Sequence, residues 1–202
     1  MKYAVWLVPP EPWYSKIADT SRQIVKDTYG KDVRGIYYRV KTKLKNDNNR
    51  KLFIPGIGNI FESDIAPHST IVLDFNAQDW DEETIESIIK THVPEKFSCR
   101  LDGIGDHDGQ QFTFFIRMSA DPLIKLQQSL QTAIASTYRT GQVITGYRPH
   151  ITLLYDDVDE EKATAARAKI TEEFIGEMPV TEVALYRNDL GRFTLLKRIP
   201  LN

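Results

Sequence analysis

The chain has 202 residues, 41% of them apolar and 27% charged, with a formal net charge of −2. That is enough apolar material for one domain, or two small lobes, to build a core without disulfides or metals. The near-neutral balance leaves no global field to draw in nucleic acid or a membrane, so any anion-binding surface has to be local.

The N-terminus, KYAVWLV at residues 2–8, reads as a buried strand that stops at Pro9-Pro10. Its apolar run is too short for a secretory leader or a membrane span, so a cytoplasmic protein without membrane contact is expected. Glu11 to Tyr29 has Ile17, Ile24 and Val25 at helical spacing and ends at Gly30, which predicts a helix. Residues 31–60 form an insert. Within it, RVKTKLK (39–45) would place Arg39, Lys41, Lys43 and Lys45 on one strand face, and NDNN (46–49) reads as a turn into a returning arm. PHSTIVLDF (67–75) predicts a strand, and WDEETIESIIKTHV (80–93) an amphipathic helix with acids at its positive end.

The second half uses similar elements. QQFTFFIRM (110–118) predicts a strand and 121–138 a helix, with Asp121 as N-cap and Pro122 at N1. PHITLLY (149–155) predicts a strand, 159–174 a helix, and 180–188 with 192–201 a closing hairpin. No Pro/Gly/Ser linker divides the chain. The expected organisation is a single α+β domain over 1–202, made of two lobes that each carry an antiparallel sheet.

Two stretches share a pattern. Pro67-His68-Ser69-Thr70 and Pro149-His150-Ile151-Thr152 each open an apolar strand. Side chains two apart on a strand share a face. His68 therefore lies beside Thr70, and His150 beside Thr152. Brought together, the pairs would offer two imidazoles and two hydroxyls to one cleft.

That set suits phosphodiester chemistry. One group must deprotonate water and another must protonate the departing ribose oxygen on the opposite side of phosphorus. Two histidines with an ordinary pKa of about 6.5 can fill both roles near neutral pH. The hydroxyls can donate to the non-bridging oxygens. The chemistry requires no metal or cofactor, and none is expected. The other histidines read differently: His92 as a helix-end group, and His107, between Asp106 and Asp108, as part of a turn. Cys99, the single cysteine, reads as a small buried hydrophobe and excludes an internal disulfide.

The paired motifs resemble those of the 2H phosphoesterases, with closest similarity to the plant and yeast cyclic phosphodiesterases and the LigT-like proteins. YAVWLVPPE near the start and VALYRND near the end add to the likeness. The resemblance implies a bilobal fold with pseudo-two-fold symmetry around a central cleft. It implies His68 and His150 as catalytic residues, with Thr70 and Thr152 binding the substrate phosphate. It further implies a 2′,3′-cyclic phosphate, on a nucleotide or an RNA end, or ADP-ribose 1″,2″-cyclic phosphate as substrate. Trp6 and Tyr155 match aromatic positions lining the site of such enzymes, although strict alternation puts Tyr155 opposite His150. On strand 110–118, the face with Thr113, Phe115 and Arg117 is the better candidate for the cleft. The 31–60 insert departs from the compact members and raises an RNA contact through basic residues 39–51. Two further readings stand beside this one: an enzyme acting on cyclic oligonucleotide signals or on RNA 2′-5′ linkages and ends, and a non-catalytic nucleotide-binding module. A monomer is expected.

Overall fold

The computed structural model describes residues 1–30, 37–38, 66–105, 113–140, 145–155, 174–189 and 192–202. In chain order its strands are β1 (Lys2–Leu7), β2 (Tyr37–Tyr38), β3 (Ser69–Asn76), β4 (Phe97–Gly105), β5 (Thr113–Ser119), β6 (Arg139–Thr140), β7 (His150–Tyr155), β8 (Ile175–Val180), β9 (Glu182–Asp189) and β10 (Arg192–Pro200). Its helices are α1 (Trp13–Tyr29) between β1 and β2, α2 (Glu82–His92) after β3, and α3 (Asp121–Thr137) after β5.

β1 shows how the sequence sorts its faces. Tyr3, Val5 and Leu7 enter the main core, while Ala4, Trp6 and Val8 join a smaller cluster with Ala184 and Tyr186 on the other side. This strand is apolar on both faces because both faces are covered. The helices obey a 3.6-residue period: Ile17, Ile24 and Val25 of α1, Ile85 and Ile89 of α2, and Leu123, Leu126, Leu130 and Ile134 of α3 are all buried. Gly30 ends α1 in the left-handed region at φ 65°, its N–H bonded to the Lys26 carbonyl. At the start of α3, Ala120 takes the cap position expected for Asp121, and its carbonyl accepts the Leu123 and Ile124 N–H groups. Asp121 instead stands in the first turn, where its charge still meets the dipole.

Two five-stranded sheets result, ordered β10-β9-β1-β3-β6 and β2-β7-β5-β4-β8. All pairings are antiparallel except that of two-residue β2 with β7. The sheets correspond: in each, a motif strand (β3 or β7) lies second from one edge, between a two-residue edge strand and a longer strand from elsewhere in the chain. The lobes are not successive halves of the chain. α1 follows β1 of the first sheet but packs on β7 of the second, and α3 follows β5 of the second but packs on β3 of the first.

Four strands are not predicted from the sequence, the two-residue β2 and β6 and the longer β4 and β8. β4 contains Gly103 and Gly105, and β8 contains Gly176 and Pro179, residues that weaken a strand pattern. β8 is an edge strand, where a proline's missing N–H costs no ladder bond. The 39–51 basic segment, His107 and nearly all of the expected 159–174 helix lie outside the described residues, as does the insert apart from β2. Among the described residues no helix is long and apolar enough to cross a membrane.

Candidate active site

The two motif strands come from different sheets and touch each other. His68 stands immediately before β3, and His150 is the first residue of β7. Both are held in the same way. The Nδ1 of His68 lies 2.8 Å from the Ala66 carbonyl oxygen, and that of His150 lies 2.8 Å from the Arg148 carbonyl oxygen. A carbonyl only accepts, so Nδ1 carries the hydrogen and donates in each ring. In a neutral imidazole that makes Nε2 the basic nitrogen, and a backbone anchor two residues upstream fixes the ring.

The two imidazoles share one field, since the charge of His150 disfavours protonation of His68. Burial is the larger cause. His68 is 8% exposed, and desolvation with this repulsion pushes its pKa down to about 4, against the opposing pull of the Ala66 carbonyl. His150 is half-buried. Thr152 is buried and Thr70 partly so, and neither hydroxyl is engaged by another described residue. The four side chains thus present two anchored imidazoles and two hydroxyls able to donate to an anion.

Aromatic residues on neighbouring strands complete each half. Trp6 pairs with Thr70 across β1 and β3, and Phe115 pairs with Thr152 across β5 and β7. The Trp6 ring stacks on His68 at 3.6 Å between centroids and 12° between planes. The Phe115 ring meets His150 edge-on at 5.2 Å. Trp6 was expected to contact the nucleotide; it is 1% exposed, covered by His68, Tyr186 and Phe193, and so offers no open ring face for a base. It backs the imidazole instead. Phe115 is partly exposed on the same face as Thr152. The side chains of Thr113 and Tyr155 lie outside the described residues, although their backbones pair at the end of the β5–β7 ladder.

Two groups around the site were not anticipated. Tyr147 reaches from the lead-in to the second motif to the middle residue of the first: its Oη lies 3.3 Å from Ser69 Oγ. Tyr147 and Ser69 both lie on the core side, and burial pushes the Tyr147 phenol up to about 12. The signal was present only as a tyrosine in YRPHITLLY, with nothing to mark its partner. Gly105 pairs with Phe115, and a Cβ built there would lie 2.7 Å from Phe115 Cε2 and 3.0 Å from Arg117 Cγ. Away from the site, His92 Nδ1 lies 2.8 Å from the Ile88 carbonyl at the end of α2. Among the described residues no group of three His, Cys, Asp or Glu side chains could hold a metal ion.

A two-sheet fold with one anchored histidine per sheet defines the class of two-histidine phosphoesterases. A profile of the 2′-5′ RNA ligase superfamily matches residues 61–192, and the chain belongs to that family. Among solved structures, TT0787 of Thermus thermophilus is 16% identical, with a TM-score of 0.66 over 100% of this chain and 98% of that one. LigT of Escherichia coli, solved with 3′-AMP, is 18% identical, with a TM-score of 0.59 over 99% of this chain and 97% of that one. At these identities the likeness speaks for the fold, which is LigT-like. No curated protein matches the chain. Membership of this superfamily supports phosphodiesterase-type chemistry.

Proposed function

We propose that this protein is a cyclic phosphodiesterase that opens 2′,3′-cyclic phosphates of nucleotides or RNA ends, with His68 and His150 as acid–base pair and Thr70 and Thr152 on the phosphate. The observation that carries this reading is the mirrored anchoring. Two imidazoles from two sheets, each tied through Nδ1 to a carbonyl two residues upstream, have their hydroxyl partners two residues downstream. A symmetric pair fits a reaction with a proton removed on one side of phosphorus and delivered on the other.

In the proposed step one imidazole takes a proton from water as the oxygen bonds to phosphorus. The bond from phosphorus to one ribose oxygen breaks, and the other imidazole gives that oxygen its proton. The threonine hydroxyls donate to the non-bridging oxygens as their charge grows. With a 5′-hydroxyl in place of water as the attacking group, the same step breaks the bond from phosphorus to the 3′-oxygen, which takes the proton, and joins two RNA ends by a 2′-5′ linkage. The family's description motivates that second reading.

The test is turnover of 2′,3′-cyclic nucleotides in EDTA, with products resolved by chromatography. Wild-type protein is expected to form nucleoside monophosphate. His68→Ala and His150→Ala should each lose about 10²–10⁴-fold in kcat, the usual size of a general acid or base contribution. Undiminished turnover by either variant would overturn the assignment. Adding an oligonucleotide with a 5′-hydroxyl reports the ligation reading as a longer product.

A further inference from the structure

Arg117 is the residue paired directly with His150 across β5 and β7. Strand alternation puts it on the face of Phe115, since Phe114, Ile116 and Met118 fill the core on the other side. The side chain is exposed and turns away from β7. Its Cγ lies over Gly105 beside the Phe115 ring, and its Nη2 donates to the Asp102 carbonyl at 3.0 Å. β4 and β7 flank β5, so the guanidinium leans across the sheet, roughly one strand spacing of ~4.8 Å beyond β5.

Its charge is not neutralised by the residue it leans on. The Asp102 carboxylate is committed to Arg100 Nε at 2.9 Å and to Ser119 Oγ at 2.7 Å. Arg117 meets only the backbone there, and among the described residues no carboxylate pairs with it. A guanidinium has five donors and stays charged at any working pH, so one backbone bond leaves most of its capacity unused. On the first sheet the residue level with the motif is Trp6, buried with Ala4 and Val8, and the cations of that face, Lys2 and Arg198, are paired with the Asp74 and Glu182 carboxylates. The two walls of the site thus differ in one respect. One is sealed by Trp6 beside the motif, and the other ends in a cation anchored only to backbone.

We propose that Arg117 is a second anion subsite, binding a phosphate one nucleotide step from the reacting one. It leans toward β4, away from the strand that carries His150, and it lies on the side where Phe115 would border the same nucleotide. The favoured substrate class is then a cyclic-phosphate nucleotide that also carries a 5′-phosphate, as an RNA end does. This rests on the cyclic phosphodiesterase reading above.

Two arms test it. The first compares kcat/KM for adenosine 2′,3′-cyclic phosphate with and without a 5′-phosphate, in wild type and Arg117→Gln. Wild type should prefer the 5′-phosphorylated substrate, and the variant should lower that preference about tenfold, mainly through KM. A preference within twofold of wild type overturns the subsite, and so does an equal loss on both substrates, which would place Arg117 on the reacting phosphate. The ratio cancels any general damage to folding. The second arm titrates adenosine 2′-phosphate and adenosine 2′,5′-bisphosphate by calorimetry. If neither cyclic substrate turns over but the bisphosphate binds more tightly and Arg117→Gln removes the difference, the subsite stands and the cyclic phosphodiesterase reading fails. Equal binding of the two ligands to wild type overturns the subsite regardless of turnover.

Discussion

His68 combines two demands that pull against each other. Its anchor and its neighbour His150 suit it to proton transfer, yet it is nearly sealed beneath Trp6. A tryptophan face can stabilise a cation by about 0.5–2 kcal/mol. Desolvation outweighs that here, and the imidazole stays neutral down to about pH 4. The linkage has a definite sign. Between pH 6.5 and about 4 the unfolded chain takes a proton that the folded protein refuses, so stability is fully present above pH 6.5 and is lost as pH falls through that window. At about 1.4 kcal/mol per pH unit the total is on the order of 3 kcal/mol. Urea denaturation at pH 7 and pH 4.5 should show most of this loss in wild type and a visibly smaller one in His68→Gln, which has no imidazole to titrate. Equal pH slopes in the two proteins would mean that His68 is hydrated and titrates normally. The histidine and its threonine were legible in the sequence because a two-residue period fixes a shared face. The tryptophan cover was not, because which strand lies beside β3 is a matter of topology rather than local pattern.

The elements that carry a single clear period were readable, and those that mix signals were not. β1, β3, β5, β7, β9, β10 and the three helices emerge within a few residues of the spans their patterns predict. α1 starts at Trp13 rather than Glu11 because Pro12 occupies its cap, while the Glu11 carboxylate accepts from the Ser15 N–H at 3.3 Å and Oγ at 2.9 Å. β4 was hidden by its glycines, yet Gly105 is there for space. The Phe115 ring and the Arg117 stem lie where a Cβ would go. Position 105 thus governs the neighbouring strand that faces His150. Gly105→Ala is expected to push the Phe115 ring off this seat, at an overpacking cost of roughly 1–3 kcal/mol. Because that ring meets His150 edge-on, turnover should fall with stability. Pairing Gly105→Ala with Phe115→Leu relieves the clash and should recover stability more than activity. Urea midpoints and initial rates on one cyclic nucleotide check both. Additive losses in the double variant would show that the two positions do not communicate.

At the scale of the whole molecule, the exchange of α1 and α3 between the sheets has a thermodynamic consequence. Because each helix packs on the motif strand of the sheet that its preceding strand does not belong to, neither lobe can keep its core if the other comes apart. One continuous cluster of buried residues draws on both sheets and all three helices, from Leu7 and Phe75 to Cys99 and Ile151. Tyr147 lies within this region, joining the approach to the second motif to Ser69 of the first. Sequence halves suggested two lobes in succession, because repeated elements are visible along the chain while their interleaving is not. An interleaved pair should unfold as one unit. Far-UV circular dichroism and tryptophan fluorescence are expected to give coincident urea transitions. Tyr147→Phe should shift that single transition by about 1 kcal/mol, the net worth of a typical hydrogen bond, without splitting it. Since Ser69 sits between His68 and Thr70, the same variant should also relax the first motif and lower turnover of cyclic nucleotides several-fold. Separate transitions for the two probes, in either protein, would show that the lobes fold independently and that the shared core does not couple the two halves of the site.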